Sequence, residues 1–280
     1  MIYESDWTPD CLKTPPIDVL EEWKHEWMRH PMNAEGVDKK SIDRMWDESA
    51  SAYNYTRYSS IIGDVIDKMN DLGIPGGTVM DIGCGPGAYA IPFSRLYSRV
   101  LAVDGSELML NALRKGCRER HIDNIETLKC DCGAIPEKFR CDTAFSSLCP
   151  AMNSPTMILS MERLGNTRIY ISSSDKGEDS MEMEIWRELG CDYSYGGYLT
   201  DYPFRFLESI GRDPALYRFR QRNETKVPDG IMKDNFRRTF SLYRPITKSV
   251  TDAIEKVVSG HSKDGFVTAS REMCIGMLVW

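Results

Sequence analysis

The sequence is poor in the features that mark secreted and membrane proteins. Its first residues contain no basic stretch followed by an apolar core, so we expect no signal peptide. The longest run without a charged residue, 143–161, contains Pro150, Asn153 and Pro155, which make it too polar for a helix in lipid. We therefore expect a cytoplasmic protein with no membrane partner.

Metal-binding patterns are also scarce. There are only four histidines, and no two of the nine cysteines are separated by two residues. We expect reduced, mostly buried thiols and no metal. An alternative is a zinc site built from Cys130, Cys132, Cys141 and Cys149, although structural zinc sites usually pair their ligands across a gap of about two to four residues.

The charge distribution is uneven. The formal net charge of the chain is −7, which argues against a nucleic-acid partner for the molecule as a whole. Residues 212–248, however, contain ten lysines and arginines against four acids, a net charge of +6. This basic segment is either a solvated face or part of a site for an anionic partner.

The hydrophobic pattern changes along the 280 residues. Residues 1–60 show helical spacing at 23–30 and 41–53, which we interpret as an N-terminal helical extension or lid. Across 61–175, short apolar segments alternate with helical ones, and this favours a parallel sheet wound on both faces. The five strands are expected at 78–82, 100–103, 125–129, 143–146 and 168–172. Helices are expected at 59–72, 88–96, 107–118 and 155–164.

The alternation is interrupted after residue 175. Helices are expected at 181–189, 204–210 and 250–258, and strands at 216–222 and 273–280. The predicted fold is therefore α/β: a doubly wound, mostly parallel seven-stranded sheet with an N-terminal helical extension and a cap insertion after the fifth strand. In this division 176–248 form the cap, including a late strand, and 249–280 complete the core.

The sharpest local signal is the turn after the first strand, which reads Val79-Met80-Asp81-Ile82-Gly83-Cys84-Gly85-Pro86-Gly87. Glycine permits positive φ and close backbone approach, and a turn that leads into a helix presents free N–H groups. The pyrophosphate pattern G-x-G-x-x-G does not fit, because the third glycine comes one residue early. A carboxylate at Asp81 would repel pyrophosphate but attract the cationic amino group of an amino-acid moiety.

Polar residues also follow the next three strands. Asp104, 21 residues after Gly83, ends the second strand, where an acid can bind both hydroxyls of a ribose. Alternatively, Asp104 or Ser106 only caps the following helix. Asp131 follows the third strand as a ligand contact or as part of an Asx turn. Ser147 follows the fourth strand, and no general base is evident.

These features resemble the class I (Rossmann-like) S-adenosylmethionine (SAM)-dependent methyltransferases. The hhDhGxGxG pattern at 79–87 is similar to motif I of that family, and the resemblance covers 42–175 and, weakly, the last strand. It implies SAM as methyl donor, with Asp104 on the ribose, Met109 against the adenine and Asp131 at the adenine amino group. The implied SAM-binding residues are Asp81, Gly83, Cys84, Gly85, Gly87, Asp104, Gly105, Ser106, Met109, Asp131, Cys132, Ser147, Tyr53 and Tyr58.

The acceptor is less well defined. Phe145-Ser146-Ser147-Leu148-Cys149-Pro150 departs from the Asn/Asp-Pro-Pro-Tyr-type motif of many nucleic-acid N-methyltransferases in the family. We therefore favour a small-molecule acceptor, an anionic one if the basic segment contributes to the site. The alternatives are an RNA or protein methyltransferase and a non-catalytic SAM-binding regulatory protein. The oligomeric state is not specified by the sequence.

Overall fold

The computed structural model describes residues 7, 9, 12, 15–29, 59–175, 181–191, 198–241 and 243–280. The helix predicted at 41–53 lies outside the described residues, as do Tyr53 and Tyr58. No helix in the described ranges is long and apolar enough to cross a membrane.

The strands form one mixed sheet. They are β1 (Thr78–Ile82), β2 (Arg99–Asp104), β3 (Ile125–Lys129), β4 (Cys141–Ser147), β5 (Gly165–Ser173), β6 (Ala215–Pro228), β7 (Ser262–Lys263) and β8 (Phe266–Val279). The strand order is β3-β2-β1-β4-β5-β8-β6, and the short β7 pairs with β8. The first five strands are parallel, whereas β8 runs antiparallel to β5 and to β6. The predicted mostly parallel seven-stranded α/β sheet is confirmed, with β7 as a small addition.

Helices cover both faces of this sheet. They are α1 (Ile17–Met28), α2 (Ser59–Asp71), α3 (Ala90–Phe93), α4 (Glu107–Arg120), α5 (Pro155–Leu164), α6 (Met181–Glu188), α7 (Asp201–Ser209), α8 (Asp229–Ser241) and α9 (Lys248–His261). The side chains of α2, α3 and α4 form one apolar core with alternate residues of the strands. Those of α1, α5 and α7 form the second core on the opposite face. The fold is thus doubly wound, as predicted.

A third apolar core lies outside these two layers. It is built by α6, α8 and α9 around Trp186, Phe240 and Ile254. The ribbon of β6 and β8 reaches it, because these strands stay paired from Gln221 to Pro228, beyond the last residue of β5 that pairs with β8. The sequence predicts that α9 completes the core together with the last strand, whereas it packs against α6 and α8. The limits of the proposed domains stay a prediction.

Most predicted elements lie within a few residues of their observed bounds, but β6 continues past the predicted 216–222 and β8 begins well before the predicted 273–280. The helix predicted at 88–96 is reduced to α3, which is followed by hydrogen-bonded turns. The helix α8 was not predicted, since its apolar residues lie within the basic segment. The carboxyl ends of β1 to β4 meet at one edge of the sheet because these strands are parallel, and open α/β sheets bind their ligands at such an edge.

Candidate functional site

The glycine-rich turn is hydrogen-bonded to the end of β2. The backbone N–H groups of Gly83 and Cys84 both donate to the carbonyl of Val103, at 2.8 and 3.0 Å. Gly83, Gly85 and Gly87 have φ of 72°, 51° and 96°, which is left-handed backbone that favours glycine. The backbone requirement inferred from the sequence is therefore present at all three positions.

The three glycines serve different purposes. A Cβ on Gly83 would collide with the side chain of Cys149, and one on Gly87 would collide with Leu113 of α4. A Cβ on Gly85 would meet no atom of the described residues within 4 Å. Gly83 and Gly87 therefore allow close internal packing, whereas Gly85 borders the open space into which a ligand can approach.

We expect Gly85→Ala to separate ligand binding from stability. Gly73, which follows α2, has a similar φ of 66° and equally open surroundings, so Gly73→Ala is a matched control. Each substitution should lower the free energy of unfolding by about 1 kcal/mol, the cost of left-handed backbone in alanine. Only Gly85→Ala should also weaken SAM binding, by about tenfold or about 1.4 kcal/mol, because its methyl group enters the ligand space.

Calorimetric titration with SAM and thermal denaturation check this pair of variants. Equal SAM affinities in the two variants would show that Gly85 does not border the cofactor.

Asp104 is fixed in orientation by two backbone groups. Its Oδ2 accepts from the Gly85 N–H and its Oδ1 from the Ser106 N–H, both at 2.8 Å. The capping role belongs to Ser106, whose Oγ accepts from the N–H of Met109 at 3.2 Å. Asp104 therefore joins the glycine-rich turn to the start of α4, at the end of β2 where the resemblance requires the ribose-binding acid.

Asp81 is a buried carboxyl group with incomplete hydrogen bonding. It is only 2% exposed, and its Oδ2 has no partner among the described residues. Burial, followed by the negative charge of Asp104, raises the pKa of Asp81 to about 7, while the Ala90 N–H opposes this by donating to the carboxylate. An unpaired buried carboxylate is costly. A cationic ligand group beside it would relieve that cost, and the amino group of SAM fits this requirement.

Asp131 and Met109 flank the same edge. The side chain of Asp131 is exposed and forms no capping hydrogen bond to the 3₁₀ turn at 132–134, so it is not acting as a helix cap. Its Oδ1 lies 3.6 Å from the position of a Cβ on Gly105, which places it beside the end of β2. Met109 is 3% exposed. Asp131 is thus brought next to the Asp104 segment, as an adenine contact requires.

The end of β4 contains a strained residue that the sequence did not reveal. Leu148, next to the half-buried Ser147, has φ of 49° although it is not glycine, and it is 46% exposed. This conformation costs about 1–2 kcal/mol. The backbone N–H of Leu148 donates to the carbonyl of Ile171 at 2.8 Å, which holds it in place. Strained, exposed apolar residues of this kind are typical of ligand-binding edges.

Buried polar contacts follow at the end of β5. Tyr170 donates to Asn153 Oδ1 at 2.9 Å, and Thr200 Oγ1 donates to the carbonyl of Ser173 at 2.8 Å. The first contact joins β5 to the segment after β4, and the second joins β5 to the start of α7. Neither was expected, because each depends on residues that are distant in the sequence.

The zinc alternative is wrong for the four cysteines considered. Cys141 begins β4 and Cys149 follows its other end, so a strand of roughly 3.3 Å per residue separates them. In the part of the chain that the structure describes, no group of three or more histidine, cysteine or acidic side chains could hold a metal ion.

Much of the positive charge of the basic segment is paired within the chain. Seven of its ten basic side chains form ion pairs, among them Arg218 with Asp201 at 2.8 Å and Arg220 with Asp175 at 3.7 Å. Most of these pairs are exposed, and such pairs contribute little to stability. The positive charge alone therefore gives no reason to expect an anionic acceptor.

Comparison with known proteins identifies the domain that carries this edge. Residues 79–164 match the family model described as a methyltransferase domain, a range that runs from β1 to the end of α5. It contains Asp81, the glycine-rich turn, Asp104, Asp131 and Ser147. No curated protein matches the chain in sequence.

Solved structures with a similar arrangement include three methyltransferase-type proteins. Magnesium protoporphyrin IX methyltransferase (ChlM) from Synechocystis PCC 6803, with bound SAH, is 13% identical, with 91% of this chain and 93% of that chain covered and a TM-score of 0.45. DhpI in complex with SAH is 16% identical, with coverages of 66% and 92% and a TM-score of 0.46. Precorrin-6y C5,15-methyltransferase from Geobacter metallireducens GS-15 is 11% identical, with coverages of 72% and 78% and a TM-score of 0.41. Because all three TM-scores are below 0.5, these similarities carry no information on the identity of the acceptor.

Proposed function

We propose that this chain, whose residues 79–164 match a methyltransferase-domain family, is a class I SAM-dependent methyltransferase that transfers the methyl group of SAM to a small-molecule acceptor. The observation that carries the proposal is the meeting of Asp81, Gly85 and Asp104 at one sheet edge inside that domain. Asp81 offers an unsatisfied buried carboxylate oxygen, and Gly85 borders open space. Asp104 lies between the glycine-rich turn and α4.

The proposed cofactor position uses these residues in order along the edge. Asp81 binds the amino group of SAM, and the turn at 83–87 lets its methionine part approach the backbone. Asp104 binds the ribose hydroxyls. Asp131 meets the adenine amino group, with Met109 packing against the ring. Ser147, at the end of β4, then lies on the side of the methyl group.

Methyl transfer from SAM is an in-line displacement: the new bond forms between the acceptor atom and the methyl carbon, and the electrons of the broken carbon–sulfur bond return to sulfur. The protein's contribution is to orient the reactants and to exclude water. Asp81 holds the amino group of the donor and Asp104 its ribose, and the side chain of Leu148 beside Ser147 is partly exposed. A general base is needed only if the acceptor must lose a proton.

An acceptor of small size is supported by the surroundings of the edge. The helices α1 and α7 pack together beside β5: the rings of Trp23 and Tyr202 are stacked with centroids 6.3 Å apart, and Arg205 pairs with Glu22 at 2.9 Å. A parallel bridge between Ser173 and Leu199 ties the start of α7 to the end of β5. The third apolar core, built by α6, α8 and α9, lies beyond the same edge of the sheet. Together these elements favour an enclosed site over a long groove for nucleic acid.

The acceptor class can be determined by following a labelled methyl group. Purified protein is incubated with methyl-labelled SAM and host-cell extract, and the label is measured in the small-molecule, RNA and protein fractions. We expect it in the small-molecule fraction, with Gly85→Ala giving much less product at limiting SAM. Label found only in RNA or protein would contradict the small-molecule acceptor, and binding without transfer to any fraction would indicate a regulatory protein.

A further inference from the structure

Three cysteines from distant parts of the sequence meet at the proposed cofactor edge. Cys84 lies in the glycine-rich turn, Cys132 begins the 3₁₀ turn after β3, and Cys149 follows β4. We propose that Cys132 and Cys149 form a reversible disulfide that closes the SAM site under oxidising conditions. This regulation rests on the proposed function, because the site that it closes is the SAM site.

The packing brings Cys149 directly onto the cofactor turn. The side chain of Cys149 occupies the space that a Cβ on Gly83 would need, with its Sγ and its own Cβ both in the way. Because Gly83 has no side chain, the thiol sits against the turn itself. A change in the covalent state of Cys149 therefore acts on the backbone that the cofactor would approach.

The second thiol lies beside the first. The 3₁₀ turn at 132–134, which Cys132 begins, contacts the 3₁₀ turn at 150–152, which immediately follows Cys149. Both side chains pack against the same apolar core. Hydrogen bonding with Cys149, followed by burial, raises the pKa of Cys132 well above its usual value. The two sulfur atoms can therefore approach each other by movement of two short turns, with the strands in place.

The chemistry requires a small-molecule disulfide as oxidant. The Cys149 thiol loses its proton, and its sulfur attacks one sulfur of the oxidant; a mixed disulfide forms and one small thiolate leaves. The Cys132 thiol then loses its proton and attacks the Cys149 sulfur. The Cys132–Cys149 bond forms, a second small thiolate leaves, and the two released protons neutralise the two thiolates. Two electrons pass from the protein to the oxidant.

The bridge would join two turns that border the proposed cofactor position. Cys132 adjoins Asp131, at the adenine end, and Cys149 touches Gly83, at the methionine end. A covalent bond between them draws the two turns together and narrows the space between these ends. Bound SAM should in turn shift the thiol–disulfide equilibrium away from the bridge, because the equilibrium coupling between two sites is reciprocal.

The experiment treats the reduced full-length protein with oxidised glutathione. Peptide mapping identifies the bridged cysteines, and calorimetric titration with SAM measures affinity before oxidation, after oxidation and after re-reduction. We expect a Cys132–Cys149 bridge and a reversible loss of affinity of about tenfold or more, within the range usual for coupled sites. Cys132→Ser and Cys149→Ser should each abolish the loss. Cys141→Ser, at the opposite end of β4, should behave as wild type.

Two results would overturn the switch. One is oxidised, folded protein without the Cys132–Cys149 bridge; the other is bridged protein that binds SAM as tightly as reduced protein does. Both require that the reduced wild type binds SAM. If the reduced protein does not bind SAM, the proposed function itself fails, and peptide mapping still reports whether the bridge forms.

Discussion

Replacing Asp104 by alanine should weaken SAM binding by about 100-fold or more. Hydrogen bonds to a charged group are worth about 1.5–3 kcal/mol each, and Asp104 is proposed to accept two from the ribose. A loss of about 2.8 kcal/mol corresponds to a factor of 100 in the dissociation constant. The substitution also releases the Gly85 and Ser106 N–H groups, which Asp104 now holds at 2.8 Å, so the glycine-rich turn loses its fixed shape as well.

Asp142 provides the matched control for this variant. It also accepts two hydrogen bonds, from the N–H and the Oγ1 of Thr78, at 2.7 and 2.8 Å, but it lies at the opposite end of β4. Asp142→Ala should therefore lower thermal stability and leave SAM affinity unchanged. If calorimetric titration shows equal losses of affinity in Asp104→Ala and Asp142→Ala, the effect is one of general stability and Asp104 is not the ribose ligand.

The second large effect is a pH dependence that Asp81 controls. Its pKa in the folded protein, about 7, lies above its ordinary value of 3.8 because the carboxyl group is buried. Between these two pH values the folded protein holds a proton that the unfolded chain has released. The contribution of Asp81 to the free energy of unfolding is therefore largest below pH 3.8, falls as the pH rises and levels off above about 7.

Binding of the SAM amino group should reverse this preference. A cation beside Asp81 favours the carboxylate, so its pKa falls and the protein releases a proton on binding. SAM affinity should consequently rise about tenfold per pH unit below pH 7 and then become constant. Titrations at pH 6 in two buffers of different ionisation enthalpy should report the release of about one proton.

Asp81→Asn tests the same residue without an ionisable group. We expect SAM affinity about 100-fold lower than that of wild type above pH 7, with no proton release at pH 6, because the buried charge partner of the amino group is lost. The unliganded variant should also lose the pH-dependent part of stability that Asp81 contributes. Wild-type binding that releases no proton, or Asp81→Asn that binds as wild type does, would remove Asp81 from the site.

The sequence was sufficient to predict those elements whose ends are set by residues close to them in the chain. The bounds of β1, β3 and α5 agree with those predicted, because short apolar segments between turn residues, or a serine followed by proline, mark their ends. The glycine-rich turn permitted the positive φ that Gly83, Gly85 and Gly87 adopt. Parallel strands then bring Asp81, Asp104 and Asp131 to one edge, so the proposed cofactor residues could be named before the fold was known.

Features that depend on distant contacts could not be predicted in this way. The apolar residues of α8 lie among basic ones, and one of its partner helices, α6, is separated from it in sequence by α7 and β6. Leu148 adopts left-handed backbone while its N–H donates to β5, a contact that no local pattern records. The meeting of Cys132 with Cys149 requires the packing of two turns from different strand ends. The residues that would contact the acceptor also depend on such distant contacts, so the sequence does not identify them.

The location of the SAM site is tested most directly by hydrogen–deuterium exchange of the full-length protein with and without S-adenosylhomocysteine, the product form of the donor. We predict slower exchange in peptides that cover 83–90, 104–110 and 130–134, with 94–98 and 248–261 unchanged. Slower exchange confined to the basic segment or the cap, with 83–90 and 104–110 unaffected, would contradict a cofactor site at the carboxyl edge of β1 and β2.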